Sequence, residues 1–192
     1  MNREIDENWG RFALIVDIAA RFDAENITLG KTALQKVVFL LERVFGLDFE
    51  YDFTLYNYGP YCQDLDRDLE IVQGYRGVTV QYDASYGGYR IKPSDLSEDL
   101  LRRGRQATDD ARSSLNQLIS DYGRFTAKEL ELRSTIIYLA SAHYVGEEDL
   151  MKRLKEVKPH FSWKQIETGL TELKDKGYLT NAIRNSQSAM TA

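Results

Sequence analysis

"TLYNYGPYCQDLDRDLE", residues 54–70, changes its pattern partway through, and the point of change decides how the chain is organised. Upstream, "YDFTLY" alternates with a period of two: Phe53 and Leu55 lie on one face, Asp52, Thr54 and Tyr56 on the other, as in a half-buried strand. Downstream, Cys62, Leu65, Leu69 and Val72 share one helical face. Pro60 has a preset φ and no backbone donor, so it suits the first position of a helix starting after Gly59. The stretch therefore reads as a strand-to-helix corner, with Gly59, Pro60 and Cys62 as its structural residues. On an apolar stripe a thiol behaves as a small hydrophobe. A nucleophilic cysteine would need a base and an electropositive setting, whereas Cys62 has Asp64 and Asp66 beside it and the chain holds only 2 histidines.

Working outward, Trp9, Phe12, Ala13, Val16, Ala19 and Ala20 recur at helical spacing and predict a first helix with one buried stripe over residues 8–23. Leu34, Val37, Val38, Leu41, Val44 and Phe45 predict a second, stopped by Gly46. After the corner, "VTVQYDASYGGYRIK" predicts a hairpin with Gly87 and Gly88 as a two-residue turn, which would set Tyr86 opposite Tyr89, Ala84 opposite Ile91 and Asp83 opposite Lys92. Residues 95–122 carry a thin apolar stripe and read as one long polar helix that bridges two halves. "FTAKEL" offers a capping box, Thr126 with Glu129, and "FSWKQI" repeats it with Ser162 and Gln165. These helices and the one between them look like a helix-turn-helix unit followed by a strand-like "GYL". The resulting fold class is α+β and mostly helical. It divides into a winged-helix-like domain at 1–93, a connecting helix at 94–125, a helix-turn-helix-like bundle at 126–180 and a mobile tail at 181–192.

The totals set bounds. At 192 residues and 43% hydrophobic composition the chain can build its own core. One cysteine forms no internal disulfide, and neither a leader nor a long apolar span is visible, so a cytoplasmic protein without a membrane role is expected. The net charge of −5 divides into −3 for residues 1–50, −2 for 51–93, −1 for 94–125 and +1 for 126–192. That distribution gives no strong basic footprint for nucleic acid. A winged-helix regulator of transcription is the alternative reading. It is opposed by Asp64, Asp66, Asp68 and Glu70 on the would-be recognition helix, and it leaves Lys164, Lys174 and Lys176 on the last helix as DNA-contact candidates.

Other motifs resolve into ordinary structure. "GKT" at 30–32 lacks the glycine of a phosphate-binding loop, since Glu25 stands at that position. Asp64, Asp66 and Asp68 have calcium-loop spacing, yet Leu69 replaces the required glycine and Tyr75 the glutamate. His143 and His160 are not paired as metal ligands. With no nucleophile, base and orienter to assemble, no enzymatic activity, cofactor or metal is expected. The unexplained feature is the density of tyrosine: Tyr51, Tyr56, Tyr58 and Tyr61, then Tyr82, Tyr86 and Tyr89. Such rings are used at protein interfaces. The expected contact surface is Tyr56, Tyr58 and Tyr61, backed by the Gln35 and Lys36 face of the second helix.

Residues 29–69 carry a Leu34-Gln35-Lys36 helix, then Gly59-Pro60, an aromatic residue and a leucine-bearing helix. In these features the chain resembles the YwgA-like proteins and, more distantly, the Panacea-type antitoxins that include SocA and GepA. The YwgA-like similarity runs on through "KPHFSWKQIETGLTELKDKGYL". The resemblance implies a mostly helical domain that grips another protein, as an antitoxin or adaptor, often in toxin-antitoxin or defence loci, with no cofactor. Cys62 stands where a serine is common in such proteins. The partner is left open, a second copy of the chain included.

Overall fold

The computed structural model describes residues 8–85, 87–143 and 146–189. In chain order its elements are α1 (Trp9–Ala24), α2 (Lys31–Phe45), β1 (Thr54–Tyr56), β2 (Gly59–Tyr61), α3 (Gln63–Gly74), β3 (Val78–Asp83) and β4 (Gly88–Pro93). There follow α4 (Ser97–Arg103), α5 (Arg105–Tyr122), α6 (Ala127–His143), α7 (Glu147–Val157), α8 (Trp163–Asp175) and α9 (Tyr178–Ala189). Helices dominate, and two antiparallel hairpins, β1–β2 and β3–β4, complete an α+β fold. The chain forms two compact units, each discontinuous in sequence. The first draws on Met1–Gln35, Phe49–Asp52 and Cys62–Arg124, the second on Lys36–Asp48, Phe53–Tyr61 and Phe125–Ala192.

The first unit is built around α1. Its residues from Phe12 to Ala19 are buried without interruption, so α1 is a central helix, apolar nearly all round, where the sequence suggested a single stripe. α3, α4, α5 and β4 pack on it. The predicted bridging helix of residues 95–122 is instead two helices, α4 and α5, that belong to this core. Against a largely apolar, buried partner a thin stripe suffices, and Leu100, Ala111, Leu115, Leu118 and Tyr122 supply it. The break falls at Gly104, where a Cβ would lie 2.3 Å from the Trp9 carbonyl oxygen and 2.4 Å from the Ala13 Cβ. Only glycine allows that approach.

The β3–β4 register also differs from expectation. Tyr82 pairs with Tyr89, Val80 with Ile91 and Thr79 with Lys92. Gly88 is itself a strand residue, paired with Asp83, so the loop closes before it and Gly87–Gly88 is not the turn. Asp83 fixes the loop: its carboxylate accepts from the Ser85 N–H at 2.9 Å, its carbonyl accepts from the Gly87 N–H at 2.9 Å, and Arg90 pairs with it at 3.1 Å. Tyr86 lies outside the described residues. In the same unit Asp68 is buried, accepting from the Tyr51 hydroxyl and pairing with Arg11 Nη2, both at 2.8 Å. The Arg11 guanidinium also sits 4.0 Å from the Tyr51 ring centroid. Burial pushes the Tyr51 hydroxyl and the Asp68 carboxyl above their ordinary ranges. Asp68 is thus part of the core, and the expected four-acid face of α3 is reduced to Asp64, Asp66 and Glu70.

The second unit is organised by α6, against which β2, α7, α8 and α9 pack. Both capping boxes form as the sequence indicates. The Thr126 N–H donates to Glu129 at 2.8 Å and the Ser162 N–H to Gln165 at 2.9 Å, each answered by the reciprocal bond. Two expectations fail at the end of the chain. "GYL" opens helix α9 rather than a strand, and of the expected tail residues 181–189 are helical, residues 190–192 lying outside the described residues. Ala182 is fully buried, and the Asn185 amide donates at 3.2 Å to the Arg43 and Val44 carbonyls, left open where α2 ends before Gly46. A short apolar stripe was enough because the helix also caps another.

Candidate functional site: the tyrosine hairpin and its buried charges

Gly59 and Pro60 do not begin a helix, as the sequence suggested. They belong to β2, with Tyr56 opposite Gly59, Leu55 opposite Pro60 and Thr54 opposite Tyr61. α3 starts later, at Gln63, with Cys62 as its cap. Proline is tolerated in a short edge strand because its missing donor breaks no ladder there. Gly59 has φ +87°, and a Cβ would lie 3.2 Å from Lys36 Cε and Thr135 Oγ1 and 3.3 Å from Ser134 Oγ. The tight turn of β1–β2 thus depends on glycine in both conformation and space.

Beneath this turn α6 presents polar groups where its pattern calls for apolar ones. Glu131, Ser134 and Thr135 are all buried, and Thr135 Oγ1 has no hydrogen-bond partner. Glu131 pairs with Lys158 at 2.8 Å, and their side chains are 6% and 5% exposed, so this ion pair is dry. Lys158 Nζ also donates to the Tyr56 carbonyl at 3.1 Å and to the Asn57 carbonyl. His160 reaches Glu131 at 3.6 Å from the exposed side. Lys36, likewise buried, donates from Nζ to the Pro60 carbonyl at 2.6 Å. Burial lowers its ammonium to about 8, against the favourable pull of Glu131 and with a further push from Lys158. Two lysines therefore hold the hairpin from below by its carbonyl oxygens.

Above it, Tyr56 and Tyr58 are 64% and 70% exposed. Tyr61 is half-buried, its ring 6.0 Å from that of Tyr56. The alternation around Phe53 anticipated this, since Phe53 is buried on the opposite face and packs 5.3 Å from Phe39. Gln35 and Lys36 are not at a surface. The Gln35 amide brackets Cys62, donating to its carbonyl and accepting from its N–H, both at 2.9 Å. The two side chains position backbone and cannot themselves meet a partner.

Cys62 is buried, as are Leu65, Leu69 and Val72, and burial pushes its thiol up. Lys164 and Lys176 are exposed on and just beyond α8, Lys174 pairs with Glu147, and Glu167 and Asp175 are interspersed on the same face. Among the described residues no three His, Cys, Asp or Glu side chains group as metal ligands, and no helix is long and apolar enough to cross a membrane. The sequence reading missed Glu131, Lys158 and His160. No local signal marks Glu131, since "LELRST" is polar at four of its six positions and reads as an exposed helix face. Compared with known proteins, the chain matches no family model and no curated protein sequence.

Proposed function

We propose that the chain is a protein-binding regulatory module whose contact surface is the tip of β1–β2, with Tyr56 and Tyr58 as anchors and Tyr61 beside them. One observation carries the reading: two large rings stand in water on a backbone already fixed from below by Lys158 and Lys36. Exposed aromatic clusters mark interfaces, and a pre-ordered backbone gives up little entropy on binding. The likeness of residues 29–69 to YwgA-like proteins and Panacea-type antitoxins points the same way, to an antitoxin or adaptor that works by gripping another protein. Duplex DNA is the weaker reading, because Lys164, Lys174 and Lys176 share their helix with acids that offset them.

Site-specific photocross-linking in cells tests this. With p-benzoylphenylalanine at Tyr56 or at Tyr58, one and the same protein should be trapped from both positions, whether a different chain or a second copy of this one. The same probe at Tyr82 should not trap it. Absence of a common adduct, or equal trapping from Tyr82, would remove the hairpin tip as the contact surface.

A further inference from the structure

The β1–β2 tip carries no charge of its own, since no acid or base stands between Phe53 and Tyr61. What lies beneath it is charged. Lys36 and Lys158 are 2% and 4% exposed, and the buried carboxylate set against them is Glu131. The lysines donate to turn carbonyls at Pro60, Tyr56 and Asn57, but a carbonyl is a dipole and cancels no net charge. Ser134 and Thr135, packed under Gly59, are neutral. Lys36 is attracted by Glu131 and repelled by Lys158, and with its ammonium at about 8 it stays protonated at neutral pH. Two ammoniums against one carboxylate leave one positive charge in excess, poorly screened because water is excluded.

The adjoining loop adds to that excess. His160 is exposed, its Nε2 3.6 Å from Glu131, and Lys155 Nζ donates to the Pro159 and Phe161 carbonyls at 2.8 and 2.6 Å. From Lys155 to Lys164 the only acid is Glu156. The exposed rings of Tyr56 and Tyr58 thus stand over a positively biased base. Their phenol O–H groups can donate, and the hairpin has no carboxylate to repel an incoming one. β3–β4 differs. The cations near its tyrosines are each matched by an acid, Arg90 by Asp83, Lys92 by Asp23 and Lys31 by Asp66.

We infer that the tip takes an acidic segment of another protein, whose carboxylates accept from the Tyr56 and Tyr58 hydroxyls and from His160, an assignment that rests on the contact surface proposed above. The chain as a whole carries −5, so nonspecific attraction favours a basic ligand and a local preference for acid is diagnostic. Backbone-amide NMR titration of the full chain tests this with two short peptides at one ionic strength, one of glutamates around a phenylalanine and the other its lysine counterpart. The acidic peptide should shift the Asn57, Tyr58 and Gly59 amides and bind at least tenfold more tightly than the basic one. Asn57 is exposed, so charge can be placed at the tip itself. Asn57→Asp should weaken the acidic peptide at least threefold and Asn57→Lys should strengthen it, both at an unchanged unfolding midpoint. The contact surface itself fails separately, by loss of the common cross-link from Tyr56 and Tyr58, which does not depend on charge. Four results would overturn the acidic assignment: equal binding of the basic peptide, an affinity indifferent to charge at Asn57, a short DNA duplex shifting the same amides at lower concentration, or the same shifts on concentrating the protein alone.

Discussion

Both hairpins carry a pair of tyrosine rings into solvent, but they are supported in different ways. β3–β4 is held by its own ladder of six paired positions, and Tyr82 and Tyr89 face each other across it, edge to face at 5.6 Å. Those rings are each other's packing, the ordinary use of a cross-strand aromatic pair. β1–β2 has three paired positions, too few for a hairpin to persist alone. Its shape is imposed from beneath by Lys158, Glu131 and Lys36, and Tyr58 has no ring partner in the hairpin's register. A short turn stabilised by buried charge while presenting exposed rings is costly to build for structure alone. On the function proposed above, Tyr58 would be a presented ring and Tyr82–Tyr89 a structural pair.

Substitution beneath the short hairpin should have the largest effect. Lys158→Met leaves Glu131 buried without its cation and two turn carbonyls without a donor, and should cost about 4 kcal/mol in urea unfolding. A loss below about 1 kcal/mol would mean that the ion pair does not hold the hairpin.

The next effect is one of pH. Because the folded Lys36 ammonium titrates near 8, below its ordinary value of 10.5, the unfolded chain binds more protons between those limits. Its contribution to stability therefore increases as pH rises through that window, by about 3 kcal/mol in total. Unfolding free energies at pH 7.5 and pH 10, compared between wild type and Lys36→Met, isolate this rise. The variant should lack it.

Gly59→Ala follows, at about 2 kcal/mol, from the left-handed backbone and the crowding by Lys36, Thr135 and Ser134. Tyr82→Ala in the long hairpin should cost the least, about 1 kcal/mol, the worth of its ring contact with Tyr89.

These expectations also mark how far the sequence could be read. Local chemistry was legible: the two capping boxes, the stop at Gly46, the buried face containing Cys62 and the outward face of Tyr56 and Tyr58 all depend on residues a few positions apart. Pro60 misled because its fixed φ and missing donor suit an edge strand as well as a first helical turn. In β3–β4 the paired glycines outweighed Asp83, whose side chain closes a longer loop. The polar helix of residues 95–122 looked like a bridge because nothing in it announces that α1 is buried on nearly every side. Least legible was the buried charge. Lys36, Glu131 and Lys158 lie far apart in the chain, and each alone looks like a surface residue.

The central claim is that the short hairpin presents its tyrosines to a partner while the long one does not. The direct measurement takes the protein trapped by cross-linking from Tyr56 and Tyr58 and determines its affinity for Tyr58→Ala and Tyr82→Ala side by side, with unfolding free energies for both. An anchor ring contributes about 2 kcal/mol, so Tyr58→Ala should bind roughly thirtyfold more weakly at unchanged stability. Tyr82→Ala should bind as wild type while losing stability. Equal binding by the Tyr58 variant and wild type, or equal losses from the two hairpins, would contradict the account.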